Sequence, residues 1–193
     1  NFGINQNFTH VQEDSRKLVF IIGTSWVTKL WATSEWEALG KIAIDAGFNI
    51  EIIWGSPQEQ AIADQIIRSC PQATKPEKRL SITTIAEKLV AAAGVIGLDT
   101  GFSHLAGALE TPTIALYGAT SPTKVGLIGD HTCNLRMEEP LECMPCHKRH
   151  CKWLSENSTE TPQCMSSIKA EQVWDALQKK LSVHSTGNTS PNH

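Results

Sequence analysis

Four short apolar runs, each separated from the next by enough chain to form a helix, constrain this sequence more than any other feature. They are Leu18-Val19-Phe20-Ile21-Ile22, Asn49-Ile50-Glu51-Ile52-Ile53-Trp54, Val95-Ile96-Gly97-Leu98 and Thr113-Ile114-Ala115-Leu116-Tyr117. The first is wholly apolar and rich in β-branched residues, the pattern of a strand buried on both faces of a parallel sheet. Between the first two runs, Trp36, Leu39, Ile42, Ala43 and Ala46 recur at helical spacing. Thr33 or Ser34 stands as N-cap and Gly47 as C-cap. Further helices are predicted over 58–69, from the cap Ser81 to 92, and over 103–109. Crossovers of this length force parallel pairing, so the predicted fold is α/β, a Rossmann-like doubly wound parallel sheet. A fifth strand is expected near 132–135. A last amphipathic helix is expected over 169–181, with Val173, Trp174, Leu177 and Leu181 on one face.

The flanks read differently. Residues 1–16 are polar and without period, a linker or lead-in arm to the domain at 17–181. Residues 138–165 are irregular and cysteine-rich. The tail at 182–193 is rich in Ser, Asn and Thr, and is predicted to be disordered. The chain has 193 residues, 40% of them hydrophobic, enough to bury one sizeable core. A net charge of −3 argues against a nucleic-acid partner. No window of 18 uninterrupted apolar residues occurs, so no membrane-spanning helix is expected. The chain opens at Asn1 with neither Met nor a signal-peptide pattern, which raises the expectation that it is a piece of a longer protein.

Open α/β sheets bind ligands beyond the carboxyl ends of their strands, so the loops at 23–33, 54–59, 98–104 and 117–123 are the ones to inspect. Asp99-Thr100-Gly101-Phe102-Ser103-His104 follows a strand and opens a helix. Gly101 allows close backbone approach, free N–H groups at the helix start attract an anion, and Thr100, Ser103 and His104 add polar side chains. A plain capped turn explains the same residues equally well. Thr24 and Ser25 end the first strand and offer hydroxyls to the same crevice. Lys29 can supply a positive charge to a diphosphate, or be a solvated surface lysine. Glu59 stands where a carboxylate often holds ribose hydroxyls, and equally where a helix dipole favours an acid. Cys143, Cys146, Cys151 and Cys164, with His147 and His150 between them, have the composition of a structural zinc site or of two disulfides. Lys148, Arg149, His150 and Lys152 make this knuckle basic, able to face an anionic acceptor or membrane surface, or simply solvent.

Taken together, the blocks resemble one family. Lys29 with Trp31 and Trp36, Trp54-Gly55-Ser56-Pro57-Gln58-Glu59, the run from Leu98-Asp99-Thr100-Gly101-Phe102-Ser103-His104 to Leu109, and Pro112 to Pro122 through Tyr117-Gly118 match the ADP-heptose:lipopolysaccharide heptosyltransferases, glycosyltransferase family 9, in order and spacing. The stretch at 54–59 looks most like the branch that acts on the Kdo residues of the inner core. The resemblance covers residues 15–135 and implies a GT-B architecture, of which this chain is similar only to the C-terminal, donor-binding half. By position it implies that Lys29 contacts the diphosphate or sugar, Glu59 the adenosine ribose, and Asp99 the heptose hydroxyls. Thr100, Gly101, Ser103 and His104 would meet the phosphates, with Thr24 and Ser25 beside them. It also implies an inverting transfer of L-glycero-D-manno-heptose from ADP-heptose to a lipid A–Kdo acceptor. No cofactor would be required, and the enzyme would work at the cytoplasmic face of the inner membrane. The family's general base lies in the other domain, so no catalytic residue is expected in this chain. The competing readings are a non-catalytic nucleotide-sugar-binding fragment and a GT-B-type epimerase. A Rossmann dehydrogenase is disfavoured because no G-x-G-x-x-G follows the first strand.

Overall fold

The computed structural model describes residues 3–155, 158 and 160–187. Five parallel strands form one sheet in the order β2-β1-β3-β4-β5. They are β1 (Asp14–Ile21), β2 (Asn49–Ile53), β3 (Ala92–Leu98), β4 (Thr113–Leu116) and β5 (Thr132–Leu135). The central strands read as apolar runs because both of their faces are covered. Leu18, Val19 and Phe20 of β1 are fully buried, as are Val95, Ile96 and Leu98 of β3.

Helices α1 (Thr33–Asp45), α2 (Pro57–Ser69) and α7 (Ala170–Gly187) cover one face. There Trp36 packs on Phe20 and edge-on to Trp31, at centroid distances of 5.2 and 4.9 Å. Helices α3 (Ile82–Ala91) and α4 (Gly101–Ala108) cover the other, with Ile85, Leu89, Ala106 and Leu109 against Val19, Ile21 and Val95. Two short helices, α5 (Pro122–Val125) and α6 (Gln163–Ser166), lie in the connections after β4. The capping follows the side-chain chemistry in two places. Ser81 Oγ accepts from the Thr84 N–H, and Ser56 Oγ from the Glu59 N–H. Gly47 adopts φ 85° just after α1, and the Phe48 N–H closes back on the Ala43 carbonyl.

Three boundaries differ from the sequence reading. Strand β1 starts at Asp14, inside the expected arm, because Asp14 and Lys17 find ladder partners in Ala92 and Asn49. Helix α1 is preceded by Ala32 rather than capped by a Thr33 or Ser34 side chain. Helix α7 continues to Gly187, so 182–187 is helical rather than disordered; no Pro or Gly interrupts the segment before Gly187. The rest of the expected tail, 188–193, lies outside the described residues.

Strand β1 is flanked by β2 on one side and β3 on the other, so the chain reverses its direction of winding there. That creates a crevice at the carboxyl ends of β1 and β3.

Candidate functional site

An open cleft of about 980 Å³ occupies this crevice. Its floor is the turn from β3 into α4. Thr100 precedes α4 in an extended conformation, and its side chain makes no capping bond. The first N–H groups of α4 are therefore left without intrahelical acceptors at the positive end of the helix dipole. Thr100 Oγ1 is buried and has no hydrogen-bond partner. A buried hydroxyl without a partner costs about 1–3 kcal/mol, which an acceptor placed in the cleft would offset. A Cβ added to Gly101 would meet nothing within 4 Å. The space above this helix start is thus open, as an anion site requires.

Lys29 and Asp99 form the charged centre. Lys29 Nζ donates to Asp99 Oδ2 at 2.7 Å and to the Asp99 carbonyl at 3.2 Å, and lies 4.5 Å from the centre of the Trp26 ring. Thr120 Oγ1 donates to the same Oδ2 at 2.6 Å, and His104 Nε2 lies 3.4 Å from Oδ1. Burial pushes the Asp99 carboxyl up. Hydrogen bonds from Lys29 and Thr120, the Lys29 charge and the His104 contact outweigh burial and hold it below the usual aspartate value. The pair therefore presents a fixed ammonium next to the α4 N-terminus, with its countercharge already hydrogen-bonded.

Glu59 stands at the end of β2. Its Oε2 accepts from the Gly55 N–H at 2.6 Å, and its carboxylate lies over Gly23, where any Cβ would overlap it. The missing side chain at Gly23 is what lets a carboxylate from the β2 loop reach the end of β1. Thr24 and Ser25 line the same cleft, and Thr24 Oγ1 accepts from the Trp26 N–H.

Thr24, Ser25, Lys29, Glu59, Asp99, Thr100, Gly101 and His104 thus converge on one cleft. Ser103 does not. It is fully buried, its hydroxyl donates to the Leu98 carbonyl at 2.6 Å, and it fills the space above Gly97. Its side chain locks α4 onto β3 and cannot also meet a phosphate. Sequence reasoning left four lining residues out of the site: Trp54, Arg79, Thr120 and His147. Thr120 carried a usable signal, a hydroxyl just past a strand end; Arg79 and His147 lie on irregular chain where spacing carries none.

The four clustered cysteines surround a second cavity of about 930 Å³, and all are free thiols. Cys164 is packed on Gly118, and burial, followed by its neighbours Cys146, Cys151 and Cys143, pushes its thiol up to about 11. Among the described residues no group of three or more His, Cys, Asp or Glu side chains is disposed to hold a metal ion. The expected structural zinc is therefore not supported. The thiols line a partly apolar cavity instead of converging on one point. Nor does any helix among the described residues have the length and apolar character to cross a membrane.

A parallel sheet that switches at β1/β3, an anion-binding helix start there and a carboxylate at the neighbouring strand end define a nucleotide-binding Rossmann-like domain. The chain belongs to glycosyltransferase family 9 (heptosyltransferase), whose profile matches residues 2–155. It is 32% identical over 172 residues to lipopolysaccharide heptosyltransferase 1 of Pseudomonas aeruginosa, covering 85% of this chain and 48% of that protein. The E. coli heptosyltransferase WaaC solved with ADP superposes with a TM-score of 0.72 at 24% identity, over 92% of this chain and 48% of that one. The same enzyme with ADP-2-deoxy-2-fluoro heptose gives 0.69 at 24% identity, over 91% and 47%. The chain spans about half the length of the relatives it matches.

Proposed function

We propose that this chain is the donor-binding half of an inverting glycosyltransferase that moves L-glycero-D-manno-heptose from ADP-heptose to the Kdo region of the lipopolysaccharide inner core. The observation that carries it is the unpartnered Thr100 hydroxyl at the open start of α4, with the Lys29 ammonium beside it. That is a seat for a diphosphate, and family membership supplies the sugar nucleotide. In this reading the helix start and Lys29 hold the two phosphates and stabilise the charge that builds on ADP as the sugar leaves. Glu59 accepts from the ribose hydroxyls. Inversion needs a base on the opposite side of the sugar, and that base belongs to the acceptor-binding half, with lipid A–Kdo as acceptor. No cofactor is needed. The exposed Trp153 beside Lys152, with Lys148, Arg149 and His150 nearby in sequence, supports peripheral contact with the anionic cytoplasmic face of the inner membrane.

Calorimetric titration with nucleotides tests the reading. ADP is expected to bind at least about tenfold more tightly than UDP or GDP, a difference of about 1.4 kcal/mol. A UDP-sugar that binds better than ADP-heptose would sink it.

Gly23→Ala tests the ribose assignment. The added methyl displaces only the end of the flexible Glu59 side chain, so the thermal midpoint should stay near that of the parent. ADP affinity should fall about tenfold, the worth of a charge-assisted hydrogen bond. Unchanged affinity would remove Glu59 from the site.

A further inference from the structure

The cysteine-bearing loop lies well past the last site strand in sequence, yet it is tied to the donor cleft at three points. The His147 N–H donates to the Ala119 carbonyl at 2.8 Å. The buried Thr28 hydroxyl donates to the Lys148 carbonyl at 2.6 Å. The Arg149 guanidinium lies 5.6 Å from the centre of the Trp26 ring, the ring that also carries Lys29 Nζ. Each tie meets a residue on or next to the charged centre: Ala119 precedes Thr120, Thr28 precedes Lys29, and Trp26 packs on Lys29.

His147 is the part of this loop that reaches the cleft. It holds φ 51°, left-handed backbone that a non-glycine residue adopts at a cost. The neighbouring ties at Ala119 and Lys148 hold it there, and strained backbone of this kind gathers at ligand sites. Its position along the sheet edge says which part of a ligand it would meet. Glu59 stands at the β2 end, Thr24 at β1, the α4 start at β3, and Thr120 and then His147 at β4. A nucleotide with its ribose at Glu59 and its diphosphate at the α4 start runs toward β4. The group beyond the second phosphate therefore arrives at His147.

We infer that His147 is a further donor-binding residue that hydrogen-bonds the sugar hydroxyls of the bound nucleotide sugar, with the cysteine loop as the scaffold that presents it. The inference rests on the donor-site reading above. It gives the loop a task without a metal: thiols and Met144 fill the loop's interior, and the imidazole is held at the cleft wall. The His ring can donate from one nitrogen and accept at the other, which suits a vicinal pair of hydroxyls.

The test compares ADP with ADP-heptose on the same chain by calorimetry. His147→Gly removes the ring and relieves the left-handed backbone; His147→Asn keeps a residue that tolerates that backbone but cannot reach as far. Both variants are expected to bind ADP within twofold of the parent and ADP-heptose about tenfold more weakly. Retention of ADP-heptose affinity within twofold by either variant overturns the inference. So does an equal loss for both ligands, which would mean that His147 acts only by shaping the loop. Failure of the parent chain to bind ADP at all would strike the donor-site reading itself, and this inference with it.

Discussion

Asp99→Asn should lower the free energy of unfolding by about 3 kcal/mol and weaken ADP binding at the same time. The substitution preserves size and leaves an acceptor for the Thr120 hydroxyl, so packing is not what it removes. What it removes is the charge opposite Lys29. With side-chain exposures of 13% for Lys29 and 7% for Asp99, neither partner can fall back on bulk water. An uncompensated ammonium in that position is the costly outcome of breaking a buried pair from one side. Binding weakens because Asp99 fixes Lys29 Nζ beside the α4 start; without it the ammonium is free to swing toward solvent along the face of Trp26. Urea unfolding checks the stability term, and its pH dependence checks the cause. The folded-state carboxyl is held below its ordinary value, so its contribution is fully present above the unfolded aspartate value of about 3.9. The contribution is lost as pH falls through the folded value, where the native protein also carries a neutral group at position 99. The deficit of the variant should therefore be constant from pH 8 to 5 and shrink below about 4. A deficit that persists undiminished at pH 3 would show that lost packing, not lost charge, is responsible.

The two halves of this site differ in how far the sequence exposes them. The strands were legible because burial on both faces leaves no polar positions: the run at 18–22 could pack in no other way. Thr24, Lys29, Glu59, Asp99 and Gly101 were legible because they sit at strand ends, and doubly wound sheets bring strand ends together whatever the side chains are. Ser103 misled because a hydroxyl at a helix start has two uses. Only the geometry shows it turned inward to the Leu98 carbonyl above Gly97. The edges of elements were missed for a related reason. Asp14 and Lys17 look like linker, yet parallel neighbours extend the ladder through them, since backbone pairing ignores side-chain polarity at a solvated strand start. His147 was invisible in principle. Its approach to the cleft depends on Thr28 and Ala119, more than a hundred residues and a few tens of residues away, and no local period encodes such ties. The cysteine spacing was read as a metal knuckle on composition; the fold uses the same thiols as lining, with Cys164 packed on Gly118 directly under the β4 loop.

Gly101→Ala should move stability and binding in opposite directions, which few substitutions at a functional site do. Gly101 is the first residue of α4, with ordinary helical backbone and no left-handed requirement. A Cβ placed there meets no protein atom within 4 Å. By every local criterion alanine is the better residue: it lowers the entropy of the unfolded chain and should raise stability by about 0.5–1 kcal/mol. Nothing in the folded domain explains a glycine here. The explanation has to be something that occupies the open space, and the only feature aimed into it is the row of free N–H groups at the helix start with the unpartnered Thr100 hydroxyl. A phosphate hydrogen-bonded to those N–H groups at about 2.9 Å leaves no room for a methyl group on the same backbone. Displacing it outward weakens two or three charge-assisted hydrogen bonds, each worth about 1.5–3 kcal/mol. ADP affinity should consequently fall by about a hundredfold or more while the thermal midpoint rises by a few degrees, read by calorimetry and thermal unfolding on the same preparation. Adenosine, which lacks the phosphates, should bind the variant as well as it binds the parent. If ADP affinity survives with the higher midpoint, the phosphates lie elsewhere in the cleft and Lys29, not the helix start, anchors them.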